Sequence, residues 1–249
     1  MDPGADSVTA SKPPSPHRGC ALARPTFDVC VHTNNIVDMQ RFWEHEVGLH
    51  YEGALNIRHD LDQHRMRVGD SVIKINHYRD PLPRAVQSGY RNVLIARDGA
   101  VRARTRTDPD GNRVTEIAAG DFGILDLGVV LHARDVTATR RFYERRLGLD
   151  AEGTGTVRVR VGRSRVIMLS DPHARIGTPI QGRGWRFLTL PVVNVDNAFA
   201  RAVITEHAGI PPRQLGELAR YAFVRDPDGN WIELSQRAAP PADAAPHCL

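Results

Sequence analysis

Short stretches of alternating apolar and polar residues recur along the chain, and turn-forming residues interrupt them. The alternation over residues 64–78 (HRMRVGDSVIKINHY) and 156–170 (TVRVRVGRSRVIMLS) is typical of strands with one buried face. Gly69 and Gly162 lie within these stretches, and glycine readily adopts the backbone conformation of a tight turn. The pattern therefore predicts two β-hairpins, one in each half of the chain.

A repeat with a period of about a hundred residues, too long for a solenoid, organises these elements. Residues 27–53 (FDVCVHTNNIVDMQRFWEHEVGLHYEG) align without a gap to 127–153 (LGVVLHARDVTATRRFYERRLGLDAEG). Each copy opens with an alternating strand, followed by a turn and a short helix whose apolar face carries an aromatic pair. A second matching pair, DPDGNRVTEI at 108–117 and DPDGNWIELS at 226–235, ends each copy with a turn and a strand. We infer a duplicated domain.

The repeat and the composition of the ends divide the chain. Pro, Ser, Ala and Gly without an apolar period predict disorder at both ends. Between 91 and 116 the first copy has room for strands but hardly for a helix, so its second half is shortened. The predicted segments are a disordered leader over 1–25, a first domain over 26–120, a second domain over 121–237 and a flexible tail over 238–249.

Composition and charge disfavour a membrane protein, a disulfide-rich protein and a nucleic-acid-binding protein. The sequence contains no apolar run long enough to span a membrane and no signal-peptide pattern, which predicts a soluble, cytoplasmic protein without a membrane partner. Cys20, Cys30 and Cys248 form no recognisable disulfide framework, in keeping with a reducing compartment. The formal charge of +4 comes with no basic run interleaved with aromatic residues, so we expect no nucleic-acid partner.

The order of these elements resembles the vicinal-oxygen-chelate superfamily, which includes glyoxalases, bleomycin-resistance proteins and extradiol dioxygenases. The resemblance covers residues 27–237 and rests on the Phe-Tyr helix with its Leu-Gly ending and on DPDGNxxEL. It implies an α+β fold of two tandem glyoxalase-like domains, built of paired βαβββ units with mixed, curved sheets and helices on the outer face. The fold hosts isomerases, lyases, dioxygenases, thiol transferases and non-catalytic drug-binding proteins, so it does not fix the reaction.

The resemblance also implies where a divalent metal would be held in each domain. A catalytic zinc or iron needs about three ligands from His, Asp, Glu or Cys. In the second domain only one carboxylate is found at these positions, and in the first domain two cations would repel a metal ion. We therefore expect no metal and no other cofactor. The mapped positions are Asp28, Lys74, Arg91 and Glu116 in the first domain, and Gly128, Met168, Phe187 and Glu233 in the second.

Strand alternation extends this map, because side chains two residues apart share a face. The candidate catalytic residues are Asp28, His32, Glu116 and Glu233. The candidate substrate-binding residues are Cys30, Lys74, Asn76, Arg91, His132, Phe187, Thr189 and Trp231. A structural role is the alternative in each case. His32 also fits the role of a hydrogen-bonding residue at the end of a strand, and Glu233 that of a strand-end carboxylate inherited from the family. The ionic cluster of Asp28, Lys74, Arg91 and Glu116 also fits a buried network of ion pairs.

These residues predict a small-molecule enzyme that works without the usual metal, as an isomerase or lyase using acid–base chemistry in a cleft. One alternative is a non-catalytic protein that binds a drug or metabolite. A second is a metal-dependent dioxygenase or lyase whose ligands are shifted along the strands. We expect a monomer or homodimer, and we expect the copies to superpose with His32 over His132 and Glu116 over Glu233.

Overall fold

The computed structural model describes residues 20–84, 86–174, 176–203 and 209–238. This part of the chain forms two β-sheets and a few short helices. The helices are α1 (Ile36–Arg41), α2 (Val136–Arg141) and α3 (Val195–Ala202); π-helical turns at Phe42–Glu46 and Phe142–Arg146 extend the first two, and a 3₁₀ turn spans Asp121–Gly123.

The strands are numbered along the chain. They are β1 (Asp28–Thr33), β2 (His50–Arg58), β3 (Leu61–Val68), β4 (Ser71–Tyr78), β5 (Tyr90–Arg97), β6 (Arg104–Thr107), β7 (Arg113–Ala118), β8 (Leu127–Ala133), β9 (Asp150–Glu152), β10 (Val157–Val161), β11 (Ser164–Ser170), β12 (Gly184–Pro191), β13 (Ile210–Leu215), β14 (Ala219–Arg225) and β15 (Trp231–Arg237). An eight-stranded sheet has the order β13-β14-β15-β12-β1-β4-β3-β2, and a seven-stranded sheet has the order β6-β7-β5-β8-β11-β10-β9.

The two predicted hairpins are confirmed. Strands β3 and β4 pair from Val68 opposite Ser71, and β10 and β11 pair from Val161 opposite Ser164, so the chain turns at the expected glycines. Strands β5 to β7 follow one another without a helix, so the second half of the first copy has no counterpart of α3. Helix α3 lies in the second half of the second copy, and residues 204–208 after it lie outside the described part.

Each α-helix begins at a side chain that satisfies a free backbone N–H. Asn35, Asp135 and Asn194 accept a hydrogen bond from the amide three residues further on. Helices of six to eight residues are too short to be stable alone. Burial of the aromatic pairs in the π-helical turns supplies the missing stability, since Trp43 and Tyr143 are almost fully buried.

Each sheet combines strands from both halves of the chain. Strand β1 pairs in parallel with β4 and antiparallel with β12, and β5 pairs in parallel with β7 and antiparallel with β8. Because β1 and β5 each pair with a strand on both sides, neither is an unpaired edge strand. The two clefts therefore do not correspond to residues 26–120 and 121–237, although that boundary still describes the repeat along the chain.

A single large cluster of buried apolar side chains connects the two sheets. It contains residues from both copies, including Val29 and Val31 of β1, Val129 and Leu131 of β8, and the aromatic pairs of the π-helical turns. Separate small clusters lie on the opposite faces of the sheets. One is formed by Cys30, Phe187, Phe223 and Trp231, and the other by Leu94, Ile117, Ile124 and Ile167.

The end of the predicted leader is part of the fold. Cys20 is buried, and Leu22 forms a β-bridge with Val192, while the amide of Ala23 donates to the carbonyl of Pro191. The prediction of disorder is wrong for residues 20–25, because Cys20 is buried beside Leu147 and Ala198 and Leu22 packs against the large core. Residues 1–19 and the predicted tail from 239 onward lie outside the described residues. No helix of the described chain has the length and apolar character to span a membrane.

Candidate functional site

An ion pair lies on the face of the eight-stranded sheet opposite to the large core, where β4, β12 and β15 each contribute a side chain. Lys74 Nζ donates to Glu233 Oε2 at 2.8 Å and to Thr189 Oγ1 at 2.8 Å. The Thr189 hydroxyl in turn donates to Glu233 Oε2 at 2.5 Å. All three side chains are largely buried, so the ammonium and the carboxylate neutralise each other in a partly dehydrated site.

Apolar and aromatic groups surround this ion pair. Cys30 is opposite Lys74 on one side and Phe187 on the other, and Phe187 packs edge-on against Phe223 with ring centres 5.1 Å apart. Trp231 contacts the same cluster, and its indole N–H donates to the carbonyl of Thr178 at 2.7 Å. Burial raises the pKa of the Cys30 thiol well above its usual value, so this cysteine is a neutral wall residue.

His32 is buried at the end of β1 in the same cleft. Gln63 donates to the Asn76 carbonyl oxygen at 3.0 Å, which leaves the Asn76 amide nitrogen facing His32 Nε2 at 3.3 Å. Burial and then the nearby Arg186 lower the pKa of His32 to about 3. An imidazole that stays neutral at physiological pH and already accepts a hydrogen bond favours the structural role for His32 over the general-base role.

Asp28 borders this site but is engaged elsewhere. It is next to Thr189 across the β1–β12 pairing, yet its Oδ1 accepts the amide of Val72 at 2.9 Å, and Arg24 is 3.7 Å from its Oδ2. Asp28 therefore connects β1 to β4 and pairs with a neighbouring cation, which is a structural role. The predicted ionic cluster of one domain is therefore divided, because Lys74 pairs with a carboxylate from the other copy.

Glu116 is not the counterpart of Glu233. Counted from the last residue of the two DPDGN turns, the counterpart of Glu233 is Thr115, and Glu116 is one residue further on. Adjacent residues of a strand point to opposite faces. Glu116 accepts hydrogen bonds from Arg97 and Arg106 on the other face, so the expectation that Glu116 superposes on Glu233 is wrong.

Met168 and Arg91, two other positions mapped from the family resemblance, are each one residue away from the true counterpart. Strand pairing makes Ile167 the counterpart of Lys74, because Ile73 is opposite Val29 and Val166 is opposite Val129. Met168 instead belongs to the large core. On β5 the counterpart of Phe187 is Asn92, the residue after Arg91, since Asn92 is opposite Val130 as Phe187 is opposite Cys30.

Neither cleft offers a divalent metal a suitable set of donors. In the eight-stranded sheet the Lys74 ammonium already neutralises Glu233. In the seven-stranded sheet Asn92 donates to Thr115 at 3.0 Å, and the side chain of Ile124 fills the space beside Gly128. Over residues 20–84, 86–174, 176–203 and 209–238 no three His, Cys, Asp or Glu side chains come close enough to hold a metal ion.

A cavity of about 410 Å³ opens on the seven-stranded sheet and contains two of the predicted substrate-binding residues. Arg91 and His132 line it, together with Asn92 and Arg113. His132 Nδ1 lies 3.1 Å from Asp171 Oδ2. Sequence reasoning missed Asn92, Arg113 and Asp171. Alternation from Leu94 could have placed Asn92 in the cleft, but Asp171 follows the last strand of a hairpin and carries no such signal.

Comparison with known proteins agrees with the resemblance described above. The model of the glyoxalase/bleomycin resistance protein/dioxygenase superfamily matches residues 128–234. Glyoxalase I from Zea mays has 11% identity and a TM-score of 0.66, over 85% of this chain and 92% of that one. A proposed dioxygenase from Bacillus subtilis subsp. subtilis str. 168 has 12% identity and a TM-score of 0.61, over 90% and 86%.

At such low identity these two structures show the fold alone. The comparison with curated proteins gives no match. The predicted resemblance and the α+β architecture of two curved, mixed sheets are nevertheless confirmed. Similarity to the glyoxalase/bleomycin resistance protein/dioxygenase superfamily is thus found in the sequence of residues 128–234 and in the fold of most of the chain.

Proposed function

We propose that this protein is a small-molecule enzyme that works without a divalent metal and uses acid–base chemistry in the cleft of the eight-stranded sheet. One observation carries the proposal. The Lys74 ammonium contacts Glu233 at 2.8 Å, at positions where the family resemblance implies metal ligands. A fixed cation beside the carboxylate repels a dication and already supplies the positive charge that a metal would provide.

The ion pair has free capacity on both members. Lys74 uses two of its three N–H donors within the chain, and Glu233 Oε1 accepts no hydrogen bond from a described residue. A carbonyl substrate bound here transfers an acidic C–H proton to Glu233, and the electron pair moves to the carbonyl oxygen, where Lys74 stabilises the charge. Return of the proton at another carbon gives an isomerase, and departure of a leaving group gives a lyase.

The apolar walls strengthen this arrangement. Cys30, Phe187 and Trp231 are buried beside the ion pair and limit the access of water to it. Charge interactions are stronger in such surroundings than in bulk water. We therefore propose a substrate with an apolar or aromatic portion next to its carbonyl group.

Exchange of substrate protons for solvent deuterium tests the proposal directly. A panel of carbonyl compounds with acidic C–H groups is incubated in D₂O with EDTA, and exchange is followed by proton NMR. We expect exchange with the native chain, its loss in Glu233→Gln, and a reduction of about a hundredfold in Lys74→Met, which removes the stabilising cation. Glu144→Gln, on the outer helix, is the matched control. Exchange that EDTA abolishes and an added metal restores would contradict the metal-free mechanism.

A binding protein without catalysis is the second candidate. The ring cluster of Phe187, Phe223 and Trp231, with Arg225 stacked 4.0 Å above the Trp231 ring, favours it. These buried rings and the guanidinium suit a flat aromatic ligand that inserts beside them. In the same NMR experiment, saturable binding of an aromatic ligand that is returned without deuterium would favour this candidate.

The cellular setting is also part of the proposal. A cytoplasmic location is part of this proposal, and the assembly is proposed to be a monomer or a homodimer. The sequence length and the repeat support two duplicated domains with a boundary near residue 120. Sedimentation of the purified chain distinguishes the two assembly states.

A further inference from the structure

The cavity on the seven-stranded sheet has the chemistry of a binding site in its own right. Its volume of about 410 Å³ falls within the range of small-molecule pockets. Val130 and Leu169 form apolar parts of its wall, while Arg91, Asn92, Arg113 and His132 supply polar groups. Neither Lys74 nor Glu233 lines it, so it is separate from the ion-pair site.

The His132 imidazole is oriented by a carboxylate. Asp171 Oδ2 lies 3.1 Å from His132 Nδ1, and the other carboxylate oxygen of Asp171 accepts the amide of His173 at 3.0 Å. The hydrogen bond with His132 lowers the pKa of Asp171, so this carboxylate is charged and holds the proton on Nδ1. When the ring carries this one proton, Nε2 is the acceptor, and it has no hydrogen-bond partner among the described residues.

The two arginines of the cavity form no ion pair with a described carboxylate, although Arg91 is near enough to Asp171 to help lower its pKa. Arg91 donates to the neutral side chain of Gln87 at 2.6 Å. Arg113 is exposed and makes no hydrogen bond or ion pair with a described residue. Within the described chain neither guanidinium has a carboxylate at salt-bridge distance, whereas most arginines of the same sheet do. A guanidinium is suited to bidentate binding of a carboxylate or phosphate.

We propose that this cavity binds a small organic anion. Arg91 and Arg113 hold its carboxylate or phosphate group, and a hydroxyl group of the ligand donates to His132 Nε2. Asp171 is a positioning residue that fixes which imidazole nitrogen accepts. The inference does not depend on the proposed reaction at Glu233.

Nuclear magnetic resonance of the full chain with ¹⁵N-labelled histidine tests the site. The probes are malate, succinate as its counterpart without a hydroxyl, and inorganic phosphate, each compared with NaCl at equal ionic strength. We expect a saturable change in the His132 ring signals, with malate binding more tightly than succinate. Arg91→Gln and Arg113→Gln should each weaken malate binding about tenfold or more, and Arg104→Gln, an exposed arginine on neighbouring β6 outside the cavity, should leave it unchanged.

Asp171→Asn supplies a readout that a purely structural role would not move. An asparagine amide can donate to Nδ1 and so shift the proton to Nε2, which exchanges the two ring ¹⁵N signals and removes the preference for malate over succinate. Melting curves establish that each variant is folded. The proposal is overturned if neither malate nor phosphate gives a saturable change, if NaCl reproduces the change, or if Arg104→Gln weakens binding as much as Arg113→Gln.

Discussion

The buried imidazole of His32 should make the protein sensitive to acid, and replacing it by phenylalanine should remove that sensitivity. In the folded chain the pKa of His32 is lowered to about 3, mainly by burial. In the unfolded chain it returns to the ordinary histidine value of about 6.5. As the pH falls below about 6.5 the unfolded chain takes up a proton that the folded chain refuses, so stability is lost.

The expected magnitude follows from these two values. One pKa unit corresponds to about 1.4 kcal/mol, so at about pH 4.5 His32 lowers the free energy of unfolding by about 2 to 3 kcal/mol relative to about pH 7.5. Phenylalanine retains the ring contacts with Tyr78 and Phe187. It leaves the Asn76 amide without its acceptor, which costs about 1 to 3 kcal/mol at either pH. His32→Phe should therefore be less stable than the native chain near neutral pH and equally or more stable in acid.

Urea unfolding followed by tryptophan fluorescence at the two pH values measures this difference. Other titrating groups contribute equally to both proteins and cancel in the comparison. His59→Gln is the control, because the His59 side chain is 95% exposed and its removal leaves the buried site intact. If the stability gap between the native chain and His32→Phe is the same at both pH values, the argument that His32 is buried and neutral is refuted.

Two further predictions concern other parts of the fold. Lys74→Met should lower the free energy of unfolding by about 3 to 5 kcal/mol, because it leaves the Glu233 carboxylate buried and unpaired, and adding Glu233→Leu should restore most of it. Equal loss in the single and double variants in urea titrations would contradict this. Gly162→Ala should destabilise more than Gly216→Ala. Both glycines have a similar positive φ, but only at Gly162 would a methyl group clash with the carbonyl of Pro25. Equal melting temperatures would show that residues 20–25 do not pack as described.

Local features of the sequence were sufficient to predict most elements. The hairpins at Gly69 and Gly162 follow from alternation around a residue that tolerates positive φ, and both glycines have that conformation. The pairing of β1 with β12 could not be predicted in this way. Those strands are about 150 residues apart, and their alternating patterns are satisfied by any partner that covers the same face. The sequence therefore placed these residues in a cleft but predicted the wrong neighbouring residues for them.

The candidate site was partly predictable for the same reason. The family resemblance placed Lys74 and Glu233 in a cleft, alternation added Thr189, and three-dimensional pairing brings the three together. The His132–Asp171 contact depends on a turn after β11, whose position no periodic pattern records. Residues on regular strands can thus be assigned to a face from sequence, whereas those on connecting segments require the structure.

The two DPDGN turns show how a duplicated fold can acquire two different sites. The third residue after the turn faces the cleft in both copies and is Thr115 in one and Glu233 in the other. The carboxylate of Glu116 is one residue further on, and it binds two arginines on the opposite face. A shift of a single position therefore removes the carboxylate from one cleft while the turn and the strand pairing are kept. For this reason a role in one copy can be transferred to the other only by strand register, and never by the presence of the same residue type nearby.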